Sequence, residues 1–193
     1  MADHTTEHTT DHTPAPDDRS DDCPDAARAR LVMAYEACRL AESARAAVPV
    51  GAHELNPDGT ARALGAALAD AARVLAAARR FVAAAAVFER LGGAGWHLVG
   101  DALGLPTRTA REHFAPAEAG FRAELRSTEP RSAEPPGRAD WWRSHLVREP
   151  HEAALDLDDW VLRHADGETD LGPAPVSGAL FAGPHRPGGR RAT

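Results

Sequence analysis

Four side chains within one short run are suited to grip another macromolecule: Thr107, Arg108, Arg111 and Glu112. An arginine guanidinium can bridge the two acceptors on the major-groove edge of guanine. A glutamate can accept from the cytosine amino group. A threonine hydroxyl at a helix start is placed to meet a phosphate. His113 extends the same polar run. On a helix, Arg108 lies three residues from Arg111 and four from Glu112, so the three share one side. That side is either a base-reading surface or a solvated helix face, and its surroundings decide between them.

The surroundings read as helix, tight turn, helix over residues 96–114. Trp96, Val99, Leu103, Leu105, Ala110 and Phe114 are the inward apolar positions. Gly100 is the small residue that lets two steeply crossed helices approach. Gly104 supplies the unusual backbone angle between them. The second helix is expected over residues 106–114, with the four polar residues on its outer side. One continuous positive face containing Arg108 and Arg111 would favour a nucleic-acid partner, and a face broken by Glu112 and Glu118 would favour a protein adaptor.

The string from Gly95 to Phe114 resembles the helix-turn-helix of many uncharacterised actinobacterial proteins. Those carry a Trp-x-x-Ile-Gly-x-Ala-Leu-Gly core followed by a polar helix that ends in an aromatic. The run Leu103-Gly104-Leu105-Pro106-x-x-Thr109-x-Arg111 is also similar to the helix-turn-helix in region 4 of extracytoplasmic-function sigma factors. The resemblance covers Val82 to Leu125. It implies a DNA-binding transcriptional regulator that places helix 106–114 in the major groove. Pro106 stands where the first group carries a capping serine, and Glu112 where it carries a neutral or basic residue.

Composition sets the frame. The chain has 193 residues, a net charge of -7 and 22 basic residues, all arginine. Lysine, isoleucine and glutamine are missing. The charge is unevenly placed. Residues 1–25 hold eight acids and one arginine, and residues 127–172 hold eleven acids and five arginines. Residues 60–126 hold nine arginines against six acids, so the motif sits in the most basic folded segment of an acidic chain. The acidic N-terminus could fold back on that segment and weaken DNA binding. Two cysteines are too few for a disulfide framework. The N-terminus lacks the apolar stretch of a secretory signal, and no run is apolar enough to span a bilayer. Cytoplasm is the expected location, with no membrane partner.

The expected architecture is mostly α. A long helical hairpin leads into the helix-turn-helix, followed by a small helical C-terminal module, with disordered tails at both ends. Residues 1–23 form an acidic tail that repeats His-Thr units at His4, His8 and His12. That spacing could line a helix face for a metal, but the composition favours a disordered segment. The helical domain covers 24–126. Its first helix runs from about Pro24 to Val48 and buries Leu31, Ala34, Tyr35, Cys38 and Ala41. Its second runs from Thr60, a plausible cap, to Leu91. There Leu64, Leu68, Ala71, Leu75, Ala78, Val82 and Ala85 step alternately by four and three. This stripe fits packing against the first helix, and its heptad spacing also fits a homodimer through helix 60–91. A further helix is expected from Pro116 to Arg126, carrying Phe121 and Leu125 inward.

Residues 127–137 read as a linker and 183–193 as a disordered tail. Between them, 138–182 form an acidic, tryptophan-bearing module suited to a protein partner. It holds one short helix to Val147, a second from His151 to His164 and an extended stretch from Leu171 to Leu180. No enzyme site emerges. Gly92-Gly93-Ala94-Gly95 lacks the lysine of a phosphate loop. Asp156, Asp158 and Asp159 lack a calcium loop's glycine and final glutamate, and read as an acidic helix start. His145, His151 and His164 have no partners at metal-ligand spacing. No cofactor or metal is expected. The alternative to a DNA reader is a non-catalytic helical adaptor whose helix-turn-helix is only a fold element.

Overall fold

The computed structural model describes residues 23–127 and 138–181. The expected tails and nearly all of the expected linker lie outside this range, as do His4, His8 and His12. The described residues form seven helices and no strand: α1 (Asp25–Ala46), α2 (Ala66–Leu91), α3 (Trp96–Leu103), α4 (Thr107–Arg126), α5 (Arg138–Arg148), α6 (Pro150–His164) and α7 (Ser177–Phe181). The chain is mostly α, as its patterning implies. None of these helices is long and apolar enough to cross a membrane.

α1 starts behind Pro24, with Asp25 in its first turn and Arg45 in its last. Both charges complement the helix dipole. α1 and α2 pair as a hairpin along their length. Glu36, buried on α1, accepts a hydrogen bond of 3.2 Å from Arg80 Nε on α2. Arg39 and Ser43, further along α1, flank a hollow with Asp70 and Arg73 near the start of α2. The two helices therefore run in opposite directions.

α2 is shorter than the pattern implies. Thr60 does not cap it. The Thr60 hydroxyl donates to Asp58 Oδ1 at 2.6 Å and accepts from Asn56 Nδ2 at 3.0 Å. Arg62 closes the same loop by donating from its backbone N–H to the Glu54 carbonyl at 2.9 Å. Short polar side chains that satisfy nearby backbone hold a turn against helix. Gly59 and Gly65 supply the two positive φ values the loop needs, 82° and 88°, and α2 begins only after Gly65.

α4 is longer than expected. It runs unbroken through Pro116, where a break followed by a separate helix was expected. An interior proline deletes one backbone hydrogen bond and costs roughly 3 kcal/mol. The segment beyond it offsets that by burying Phe121 and Glu118 and packing Ala117 and Leu125 on the core.

The core is continuous from the hairpin into the C-terminal helices. Leu31, Val32 and Cys38 of α1, Val87 of α2, Phe121 of α4, Leu146 and Val147 of α5 and Leu157 of α6 belong to one buried cluster. Arg28 clamps α1 to the end of α5 by donating to the Val147 carbonyl at 2.8 Å. Two C-terminal expectations change. The stretch 171–180 is not extended throughout: residues 177–181 form α7. Asp158 does not sit at a helix start. It lies buried inside α6 and accepts from the backbone N–H groups of Val176 and Ser177 and from the Ser177 hydroxyl. It is the anchor that holds the start of α7.

Candidate nucleic-acid interface

Two glycine caps in succession build the motif. α2 ends at Gly93, with φ 98°, where Ala94 N–H reaches back to the Glu89 carbonyl at 2.9 Å. α3 ends at Gly104, with φ 65°, where Leu105 N–H reaches back to the Gly100 carbonyl at 2.8 Å. Gly93 and Gly104 themselves donate to Arg90 and Asp101. Each pair of bonds is a Schellman cap, which needs a left-handed residue and therefore favours glycine. Gly100 serves a different need. A Cβ there would lie 2.6 Å from the Leu105 carbonyl oxygen and 3.4 Å from Thr107 N. The turn into α4 occupies the space a side chain would take.

Beneath the turn lies a small apolar centre. Ala86, Val99 and Ala110 are buried, and Trp96, Leu105 and Phe114 pack against them. Leu103 departs from the inward set. It is 40% exposed and lines an apolar groove between α2 and α3. Trp96 carries the Arg90 guanidinium over its ring, 4.5 Å from the centroid. Arg90 Nε donates to Glu118 Oε2 at 3.1 Å, and another of its nitrogens donates to the Ala94 carbonyl. Arg122 donates to Glu118 Oε1 through Nε and Nη2, at 3.1 and 3.0 Å. Burial alone would raise the Glu118 carboxyl pKa. The hydrogen bonds and charges of Arg122 and Arg90 outweigh it and hold the carboxyl below its usual value. This network ties the end of α2 to the middle of α4.

Glu118 therefore faces inward and does not interrupt the outer face of α4. Only Glu112 does. Thr107, Arg108, Arg111, Glu112 and His113 are all exposed on the first two turns of α4. Arg108 Nε donates to Glu112 Oε1 at 2.7 Å, with the two side chains 89% and 59% exposed. Arg111 makes no ion pair among the described residues. The C-terminal helices pack on α1 and leave this end of α4 open.

The remaining chemistry-bearing residues lie elsewhere. Tyr35 and Trp142 stack at 5.6 Å, and with Trp160 they wall a cleft of about 460 Å³ between α1, α5 and α6. Trp160 Nε1 donates to Glu42 at 3.2 Å, and Asp156, Asp159 and Arg163 complete the rim. His145 lies 3.9 Å from Asp156, His151 packs on Phe181 and His164 stacks on Trp160. Among the described residues, no three His, Cys, Asp or Glu side chains gather where they could hold a metal ion. Cys38 is buried in the core, and burial pushes its thiol up to about 11.

Sequence reasoning did not find the Arg90–Glu118–Arg122 network. Half of it was readable, since Glu118 stands four residues before Arg122, the favoured order on a helix. Arg90 lies 28 positions away from Glu118, and no local spacing points to it. No protein-family model matches this chain, and neither a curated protein nor a solved structure does.

Proposed function

We propose that this chain is a DNA-binding helix-turn-helix protein, a transcriptional regulator that lays the first two turns of α4 in the major groove. Thr107 meets a backbone phosphate at the helix start, Arg108 and Arg111 read base edges, and Glu112 faces the cytosine side of the groove. The observation that carries this reading is the geometry at Gly100. The turn packs where a side chain would stand, while Arg108 and Arg111 remain in solvent. The partner is double-stranded DNA, and a homodimer would offer two such helices to two half-sites. The reading assigns no cofactor and no catalytic residue.

Binding of the purified chain to pooled duplexes, read by fluorescence anisotropy across a salt series, tests it. Affinity is expected to fall steeply as salt rises, because each phosphate contact releases counterions. The double variant Arg108→Ala, Arg111→Ala is expected to lose sequence preference while remaining folded. No retention on DNA even at low salt ends this reading.

A second reading is a non-catalytic helical adaptor. It is favoured by the Arg108–Glu112 pair, which spends one cation of the outer face on its own helix. It is also favoured by the aromatic cleft with Glu42, Asp156 and Asp159 at its rim, a surface suited to a basic protein partner. Under this reading both arginine changes leave partner binding intact.

A further inference from the structure

α2 has two apolar sides, and α1 uses only one. On the other side Leu68 is 75% exposed and Leu75 is 52% exposed. Ala71 is exposed as well, and Ala78, Val82 and Ala85 are half-buried. The side does not end with the helix. Val82 and Ala85 open into the apolar groove of about 460 Å³ that Leu98 and Leu103 of α3 complete. Those two leucines are 53% and 40% exposed. From Leu68 to Ala85 the strip is roughly 26 Å long, and α3 widens one end. Contiguous exposed apolar surface of this kind marks an interaction site.

The order of residues on the strip says what covers it. Leu68, Ala71, Leu75, Ala78, Val82 and Ala85 step by three and four in a sequence that reads the same in both directions. Leu68, Leu75 and Val82 are large and alternate with three alanines. A parallel copy would set large on large and alanine on alanine, leaving alternate layers crowded and empty. An antiparallel copy sets Leu68 opposite Ala85, Ala71 opposite Val82 and Leu75 opposite Ala78, so every layer joins a large residue to a small one. The same register lays the exposed Leu68 end of one chain over the apolar groove of the other. An isologous contact of this kind is closed and self-complementary.

We infer that a second copy of this chain covers this face, as an antiparallel α2–α2 dimer with its two-fold axis between Leu75 and Ala78. The two hairpins then form a four-helix centre, with a helix-turn-helix at each end. The inference does not rest on the DNA reading, because the strip lies on α2 and α3, away from Arg108 and Arg111, and its tests use no DNA.

Sedimentation of the full chain is expected to give the mass of two copies. Leu68→Asp with Leu75→Asp is expected to give the mass of one, with helical content and melting of the monomer retained because both side chains are exposed. Oxidation of a chain carrying Leu68→Cys and Ala85→Cys is expected to produce a covalent dimer, while Leu68→Cys alone produces none. Residues 68 and 85 of one helix are roughly 26 Å apart and cannot bridge within a chain. A single-copy mass for the native chain at all concentrations overturns the inference. So does a dimer that survives the aspartates, or one that Leu68→Cys alone crosslinks. Failure of DNA binding with the dimer intact leaves it standing.

Discussion

The two halves of α4 carry the same chemistry and put it to opposite uses. Each half holds a glutamate with an arginine four residues away, Arg108–Glu112 in the first and Glu118–Arg122 in the second. In the first half both partners stand in water, where such a pair stabilises by about 0.3–0.5 kcal/mol and breaks readily. In the second half Glu118 is 8% exposed and holds a second cation, Arg90, from another helix. Burial makes that carboxylate structural. A helix can thus be anchored at one end and offered at the other, and what separates the halves is burial, since residue type does not.

The largest break in this contrast comes from the point where the offered half is aimed. Gly100→Ala would press a Cβ against the Leu105 carbonyl, which is backbone and has little room to yield. We expect a loss of about 2–3 kcal/mol in denaturant-induced unfolding, at the upper end of overpacking costs. The small centre of Ala86, Val99 and Ala110 would loosen, whereas the Glu118 network would persist. Unchanged stability would mean that the turn can slide without cost, and that α4 is not aimed by this contact.

A smaller effect is expected at the anchor itself. Glu118→Gln removes the charge that two guanidinium groups share. The expected loss is about 1–2 kcal/mol near neutral pH, below the cost of breaking a fully buried pair because solvent reaches Arg122. The pH dependence follows from the direction of the shift. The Glu118 carboxyl is held below its usual value in the folded chain, so its stabilisation is fully present above that usual value. It is lost as pH falls through the lower, folded value. The gap between native and variant chains should therefore hold at neutral pH and close below about pH 4.5. A gap that is constant down to acid pH would show that Glu118 acts through packing alone.

The offered half was legible in the sequence, while the anchor was only partly so. Gly104 and Gly100 announce a turn and a close approach by being glycines at fixed spacing, and the apolar steps around them set the inward side. Phe121 and Leu125 were readable as inward residues, yet the continuity of α4 was not. Pro116 is a local signal for a break, and the packing that overrides it comes chiefly from α2 and, at the far end of α4, from α5, neither adjacent to it in sequence. Thr60 misled for a similar reason. A threonine before an apolar helix reads as a cap, but Asp58 and Asn56 claim its hydroxyl first. Asp158 belonged to an acidic cluster on any local reading, and only the return of residues 176–177 gives it partners.

The subtlest test concerns the exposed pair, and it separates what the two halves are for. Glu112→Gln leaves a residue of the same shape, so melting should move by less than about 0.5 kcal/mol, as expected for a solvated pair. If α4 reads DNA, Arg108 is freed and a negative charge leaves the face that approaches phosphates. Affinity for duplexes of unselected sequence should then rise several-fold at low salt, and any preference for cytosine at the position Glu112 faces should fall. If the first half of α4 is only a solvated end, neither quantity moves, since nothing touches it. The change is nearly silent in stability under both readings, so any shift in affinity reports on the surface and not on the fold. Burial gives Glu118 its role in the folded chain, and Glu112 takes a role only if a duplex lies against it.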